Sequence, residues 1–155
     1  MKFNDSGAFR RLFESLGLPV TSAVPNCIDL VFADSLPATV MLHPNGCEVV
    51  IDVWCFDAAP LAGQARSAVV KALLRLNQAA SSCQPVRVAL DSRDFVVLHG
   101  RRPLRQLDER AFGAWLTWHA DQGRRVRTLA RTLSLQRESQ CANGPFDRLS
   151  RTEPE

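Results

Sequence analysis

The feature that most constrains this chain is a repeated change of apolar spacing along its 155 residues. Recurrence in threes and fours lines one side of a helix, and recurrence in twos lines one face of a strand. Phe9, Leu12, Phe13 and Leu16 show the helical spacing, behind the capping side chains Asn4, Asp5 and Ser6 and ahead of Gly17 and Pro19. Between Cys27 and Phe56 the period is two. Ile28, Leu30 and Phe32 alternate with Asp29 and Val31, Ala38, Val40 and Leu42 with Thr39 and Met41, and Val49, Ile51 and Val53 with Val50 and Asp52. Two turn signals, Asp34-Ser35-Leu36-Pro37 and His43-Pro44-Asn45-Gly46, divide this stretch into three strands of an antiparallel meander.

After Pro60 the spacing is helical again, with Leu61, Ala65, Ala68, Val69, Ala72, Leu73, Leu76 and Ala80 on one broad side and Val70 and Leu74 widening it. Ser81, Ser82, Gln84 and Pro85 break that helix. Val86, Val88 and Leu90 then face Phe95, Val97 and His99 across Asp91-Ser92-Arg93-Asp94, a second hairpin that Pro103 closes. Asp108 is a fitting N-cap for a long helix whose seam is Phe112, Leu116, His119, Gly123, Val126, Ala130 and Leu133. The expected fold is α+β: helix, three-stranded meander, helix, two-stranded hairpin and long helix, forming one twisted antiparallel sheet with flanking helices. Its single domain is expected over 1–137. Periodicity fades from Glu138 and Asn143-Gly144-Pro145 follows, so 138–155 reads as a loose tail anchored by Phe146 and Leu149.

No window approaches the ~18 apolar residues of a membrane span, and no basic lead with an apolar stretch opens the chain. Five scattered cysteines, Cys27, Cys47, Cys55, Cys83 and Cys141, suit a reducing compartment, so the expected location is the cytoplasm without membrane insertion. The chemistry-bearing residues do not group. His43, His99 and His119 lack a two-histidine helix spacing or a Cys-x-x-Cys pair, Cys55 sits on a strand, and the aspartates fall at turns or strand surfaces. No catalytic residue, metal ligand or cofactor is expected, and the chain is not expected to be an enzyme. The net charge of +3 comes from the last third, where 101–155 holds eleven arginines against seven acids. An arginine-rich helix opens an alternative, a nucleic-acid-binding or regulatory module, although neither interleaved aromatics nor a helix-turn-helix accompanies it.

Apolar residues on both sides of the strands are the more informative feature. If Ile28, Leu30 and Phe32 pack beneath helices, then Val31, Met41, Val50 and Trp54 point the other way. A sheet apolar on two sides needs a second cover, from its own helix, a second subunit or another polypeptide.

Several local patterns resemble one family. Ile28-Asp29-Leu30-Val31-Phe32-Ala33-Asp34 is similar to the first strand and acidic turn of the class I type III secretion chaperones, the Tir-chaperone-like proteins. Val49 to Cys55 resembles their third strand, and Leu73-Leu74-Arg75-Leu76-Asn77 the Leu-Leu-x-x-Asn that ends their middle helix. Val88-Ala89-Leu90-Asp91 with Phe95-Val96-Val97-Leu98 resembles their second hairpin, and Arg102-Pro103-Leu104 with Leu107-Asp108 the lead into their last helix. The similarity runs over roughly residues 6–133.

The resemblance implies a homodimer, without catalytic activity, that binds the N-terminal region of one or more secreted effectors and keeps them competent for secretion. On that reading Phe13, Leu16, Val31, Met41, Val50 and Trp54 are expected to contact the client, and Val70, Leu73, Leu74, Asn77, Val86 and Val88 to form the dimer interface. Many such chaperones are acidic, whereas this chain has a pI near 8.8. Its basic helix therefore suits acidic effectors, a component of the export apparatus, or a regulatory role.

Overall fold

Polar punctuation sets where each element stops. The computed structural model describes residues 5–20, 24–79 and 86–142. Asn4, Ala80, the break at 81–85, Phe146 and Leu149 lie outside them. Helix α1 (Asp5–Ser15) ends in a left-handed Gly17, φ 66°. Gly17 N donates to the Glu14 carbonyl at 3.0 Å and Leu18 N to the Phe13 carbonyl at 3.0 Å, a Schellman closure that uses up free carbonyls of the last turn. Strands β1 (Cys27–Phe32), β2 (Leu36–Leu42) and β3 (Glu48–Asp57) follow. Next come α2 (Gly63–Ala79), β4 (Val86–Leu90), β5 (Phe95–Pro103) and α3 (Glu109–Ala142). Asp108 caps α3 as expected, its Oδ1 accepting the Ala111 N–H at 2.7 Å. The helix continues through Ala142, past the point at Glu138 where the apolar period fades.

All strand pairs are antiparallel, in the order β1-β2-β3-β5-β4. The second hairpin thus joins the meander through its later strand. β5 places three consecutive buried residues, Val96, Val97 and Leu98, at the sheet interior, and the shorter β4 is left at the edge.

One turn differs from expectation. Residues 33–35 form a single tight helical turn in which Asp34 and Ser35 take positive φ (63° and 54°), and β2 already begins at Leu36. Pro37 therefore lies inside a strand, opposite Val31. A proline has no N–H to give, so it fits only where the pair exchanges no hydrogen bonds. The bonded pairs are Ile28–Val40, Leu30–Ala38 and Phe32–Leu36, and the same alternation continues in Leu42 N donating to the Asn26 carbonyl at 2.8 Å.

The core lies on one face of this sheet. Leu36, Ala38, Val40, Val49, Ile51, Val53, Val86, Val88 and Leu98 join Phe9, Phe13, Val69, Leu73, Phe112 and Leu116 of the three helices in one cluster that contains neither Val50 nor Val97. Phe9, Phe13 and Phe112 stack edge to face at 5.2 and 4.9 Å. Gly123 lets α3 cross β3 closely: a Cβ there would stand 2.8 Å from Val53 Cγ1 and 2.9 Å from Leu36 Cδ2. One turn earlier the ring of His119 occupies the space where a Gly100 side chain would be.

Candidate partner-binding surfaces

Register decides which main-chain groups of β1 are free. Because Pro37 forces the Val31 pair to be the non-bonded kind, the N–H and C=O groups of Asp29 and Val31 point away from β2, along the outer edge of the sheet. The Cys27 N–H points the same way and is taken by the Val24 carbonyl at 3.3 Å. Beside this edge runs a cleft of about 380 Å³ lined mostly by apolar side chains, among them Leu16, Leu18, Leu30, Val31 and Leu116, together with Thr117 and Arg124. Its floor is helix-side sheet and its wall is the junction of α1 with α3. An extended polypeptide here meets unpaired backbone on one flank and apolar side chains on the other, the requirements for adding a strand.

The opposite edge is capped at its middle residue, Val88. Asn77, at the end of α2, donates from Nδ2 to the Val88 carbonyl at 2.7 Å and accepts the Val88 N–H on Oδ1 at 2.8 Å. Its side-chain amide thereby takes the place of a neighbouring strand on β4.

The face away from the helices is laid out in rows. Asp29 faces Thr39, Thr39 faces Asp52, Asp52 faces His99 and His99 faces Arg87, a polar row across five strands. It is bonded by Thr39 Oγ1 to Asp29 at 2.8 Å and by His99 Nδ1 with Asp52 Oδ1 at 2.7 Å. Next to it is an apolar row. Val31 faces Pro37, and Trp54 faces Val97, which faces Ala89; Pro37 and Trp54 flank the Ala38–Val53 pair and line one cleft. Trp54 packs edge-on to Phe95 at 6.0 Å and under the Arg93 guanidinium at 5.0 Å.

The expected contact residues divide on this geometry. Leu16 and Val31 share the β1 cleft, and Val31, Met41 and Trp54 share the open face, where Val31 is 74% exposed. Phe13 is corrected to a core residue: it is fully buried between Phe9 and Phe112, because α1 turns its phenylalanine row onto α3. Val50 points to the open face but is 5% exposed, between Met41 and Arg101 in register. In the second set Leu73, Val86 and Val88 belong to the core beneath α2, and Asn77 is engaged within its own chain. Val70 is half-buried and Leu74 is exposed, joined by Leu76. Leu18, Pro37, Val97 and Ala89 were not expected at these surfaces; Pro37 inside an alternating run was the available signal.

The chemistry-bearing residues lie apart. Cys55 packs under Gly123 on the helix side, so the sheet separates it from His99 and Asp52. Burial pushes its thiol up to about 12, which keeps it protonated and non-nucleophilic near neutrality. His119 is buried outright, its Nδ1 bonded to the Trp115 carbonyl at 2.8 Å, and burial brings its pKa down to about 4. Among the described residues no group of three His, Cys, Asp or Glu side chains is placed to hold a metal ion. Among the described residues no helix is long and apolar enough to cross a membrane.

Two arginines of α3, Arg124 and Arg127, are spent on the fold. Arg127 donates to three carbonyls, those of Cys55 (2.9 Å), Asp34 (2.9 Å) and Ser35 (3.3 Å), pinning the β1–β2 turn. Arg124 pairs with Asp34 and Asp121. The outward stripe is Arg110, Ala114, Thr117, Asp121, Arg125, Thr128 and Arg131, in which three arginines are separated by neutral residues and an acid, which is not a continuous basic track for a phosphate backbone.

The family model described as Tir chaperone protein (CesT) matches residues 8–127. No curated protein gives a significant match. Solved structures share the fold. The ExsC–ExsE complex matches with a TM-score of 0.64 at 16% identity, over 81% of this chain and 92% of that one. The Yersinia pestis type III secretion chaperone SycH, in complex with a stable fragment of YscM2, gives 0.58 at 19% identity over 77% and 97%. The ExoU–SpcU complex of the Pseudomonas aeruginosa type III secretion system gives 0.58 at 18% over 77% and 94%.

Proposed function

Since the chain belongs to the Tir chaperone protein (CesT) family, we propose that it is a type III secretion chaperone that binds the N-terminal region of an effector and holds it ready for export. One observation carries this reading: a strand edge whose outward main-chain groups, at Asp29 and Val31, are free among the described residues borders an apolar cleft between α1 and α3. An effector segment adds to β1 through backbone bonds, which need no particular sequence, and sets alternate side chains beside Leu16, Leu18, Leu30 and Leu116. Val31, Met41 and Trp54 take further client segments on the open face. Val70, Leu74 and Leu76 on α2 meet a second copy, leaving both client surfaces outward. The protein acts in the bacterial cytoplasm as one domain with a short tail and has no catalytic step, and its basic character favours acidic clients.

Co-expression with effectors encoded beside it tests the proposal. A stable complex protecting an effector N-terminus is expected, and Leu16→Asp combined with Val31→Asp should abolish capture while leaving the fold intact. Failure to retain any such effector, or capture indifferent to both substitutions, would overturn it.

A further inference from the structure

The open face is asymmetric in charge, and this asymmetry constrains what lies on it. The apolar row Val31, Pro37, Trp54, Val97, Ala89 crosses five strands, about 19 Å at ~4.8 Å per strand spacing. Along one flank of that row runs the polar row, and its signs separate. Asp29 and Asp52 stand on β1 and β3, and Arg87 stands on β4; Arg93 lies over Trp54 from the β4–β5 turn, more exposed than the Asp91 it pairs with at 3.3 Å. Arg101 adds a further positive group on β5, 3.4 Å from Glu48.

Two physical points narrow the occupant. Sheet main-chain groups lie in the plane of the sheet, so a segment crossing its face receives no backbone bonds from it and must satisfy its own, as a helix does. A helix also places an apolar residue every 5.4 Å turn, close to one per strand, and about 13 residues cover the row. A second copy of the sheet fits less well. Val50, the apolar residue beyond the polar row, is already 5% exposed, so what remains is one row wide, and within it Val97 is recessed at 8% between the more open Trp54 and Ala89. A facing sheet would also desolvate the Asp29–Thr39 and Asp52–His99 pairs.

We propose that the open face selects an amphipathic client helix of about 13 residues whose basic half lies over β1–β3 and whose acidic half lies over β4–β5. This rests on the open face being a client surface and adds the order of charge that the client must carry. Asp29 and Asp52 act as specificity determinants at one end, Arg87 and Arg93 at the other.

The test uses the full chain and three synthetic 14-residue amphipathic peptides with identical leucine stripes. Their flanks are lysine in the first half and glutamate in the second, all lysine, or all glutamate. Titration followed by Trp54 fluorescence should show the split peptide binding about fivefold tighter than either uniform one, the scale expected of two or three exposed ion pairs. A nitroxide on its lysine end should broaden the Leu30 and Val31 amides in NMR spectra, and in the Asp29→Lys, Arg87→Glu variant it should broaden Ala89 instead. Equal affinity for the three peptides, absence of binding, broadening indifferent to the exchange, or burial of Trp54 by self-association would each overturn the proposal. An effector complex that forms through β1 while the half-buried Trp54 keeps its free-chain accessibility would sink this inference and leave the chaperone reading standing.

Discussion

Replacing Asn77 with alanine removes both bonds that cap the β4 edge, and the loss can be sized from the geometry. The Asn77 amide meets Val88 at 2.7 and 2.8 Å, and Val88 is 7% exposed beneath α2. A net hydrogen bond contributes about 0.5–1.5 kcal/mol, and a polar group left unpaired in a shielded place costs about 1–3 kcal/mol. Asn77 is itself half-buried, so water reaches part of the vacated site, and the expected total is about 2–4 kcal/mol. Urea unfolding reads this as a midpoint lowered by about 1–2 M at a slope of ~2 kcal/mol/M. Amide exchange supplies the local check: the Val88 N–H should lose protection, whereas Arg87 and Ala89, which alternate with it and bond inward to β5, should keep theirs. Asn77→Asp keeps an acceptor for the Val88 N–H but has no donor for its carbonyl, so it should restore amide protection and only part of the stability. A loss below about 0.5 kcal/mol with Val88 still protected would refute the capped edge. A variant that changed the mass in solution while leaving that amide untouched would put Asn77 between protomers instead.

Three further outcomes are expected. The His119 pKa falls from 6.5 to about 4 on folding, so the unfolded chain binds the extra proton and stability declines as pH drops from 6.5 to 4. The decline should approach about 3 kcal/mol; urea unfolding across that range should be flatter in His119→Leu, and equal slopes would refute the assignment. Gly123→Ala should destabilise by about 1–2 kcal/mol in thermal unfolding, since overlap with Val53 and Leu36 outweighs alanine's better helix preference; a stabilised variant would contradict the close crossing. Leu74→Glu, on the exposed side of α2, should leave the fold unchanged and halve the mass measured by light scattering, and an unaltered mass would remove α2 from the self-association surface.

Most of the element order was legible because each segment's apolar period is clean and its ends are chemically marked, as at Gly17 and Asp108. The extent of α3 was less so, since helix propensity carries it to Ala142 after the apolar seam has ended. Strand order was not legible: local alternation does not say whether β4 or β5 joins β3. The surfaces were partly readable. Alternation puts Val31, Met41, Val50 and Trp54 on one face, but not which of them their neighbours shield, and Val50 is shielded. An amphipathic helix likewise announces an apolar side without naming what it meets, so Phe13 and Leu16 read alike although one is core and the other lines a cleft. Asn77 stood out as a pattern, yet its role depends on Val88, eleven residues away across a chain reversal. Arg127 carried no signal at all, because its three acceptors are backbone carbonyls, which every residue type possesses.

Pro37 has a consequence beyond the strand it occupies. By dictating which β1 residues turn their amides outward, one imino acid fixes the parity with which any added chain is read: every second side chain meets the molecule and the ones between meet water. Cargo sequences then need to agree only in that beat. Half their positions are free to drift over generations without the passenger losing its carrier.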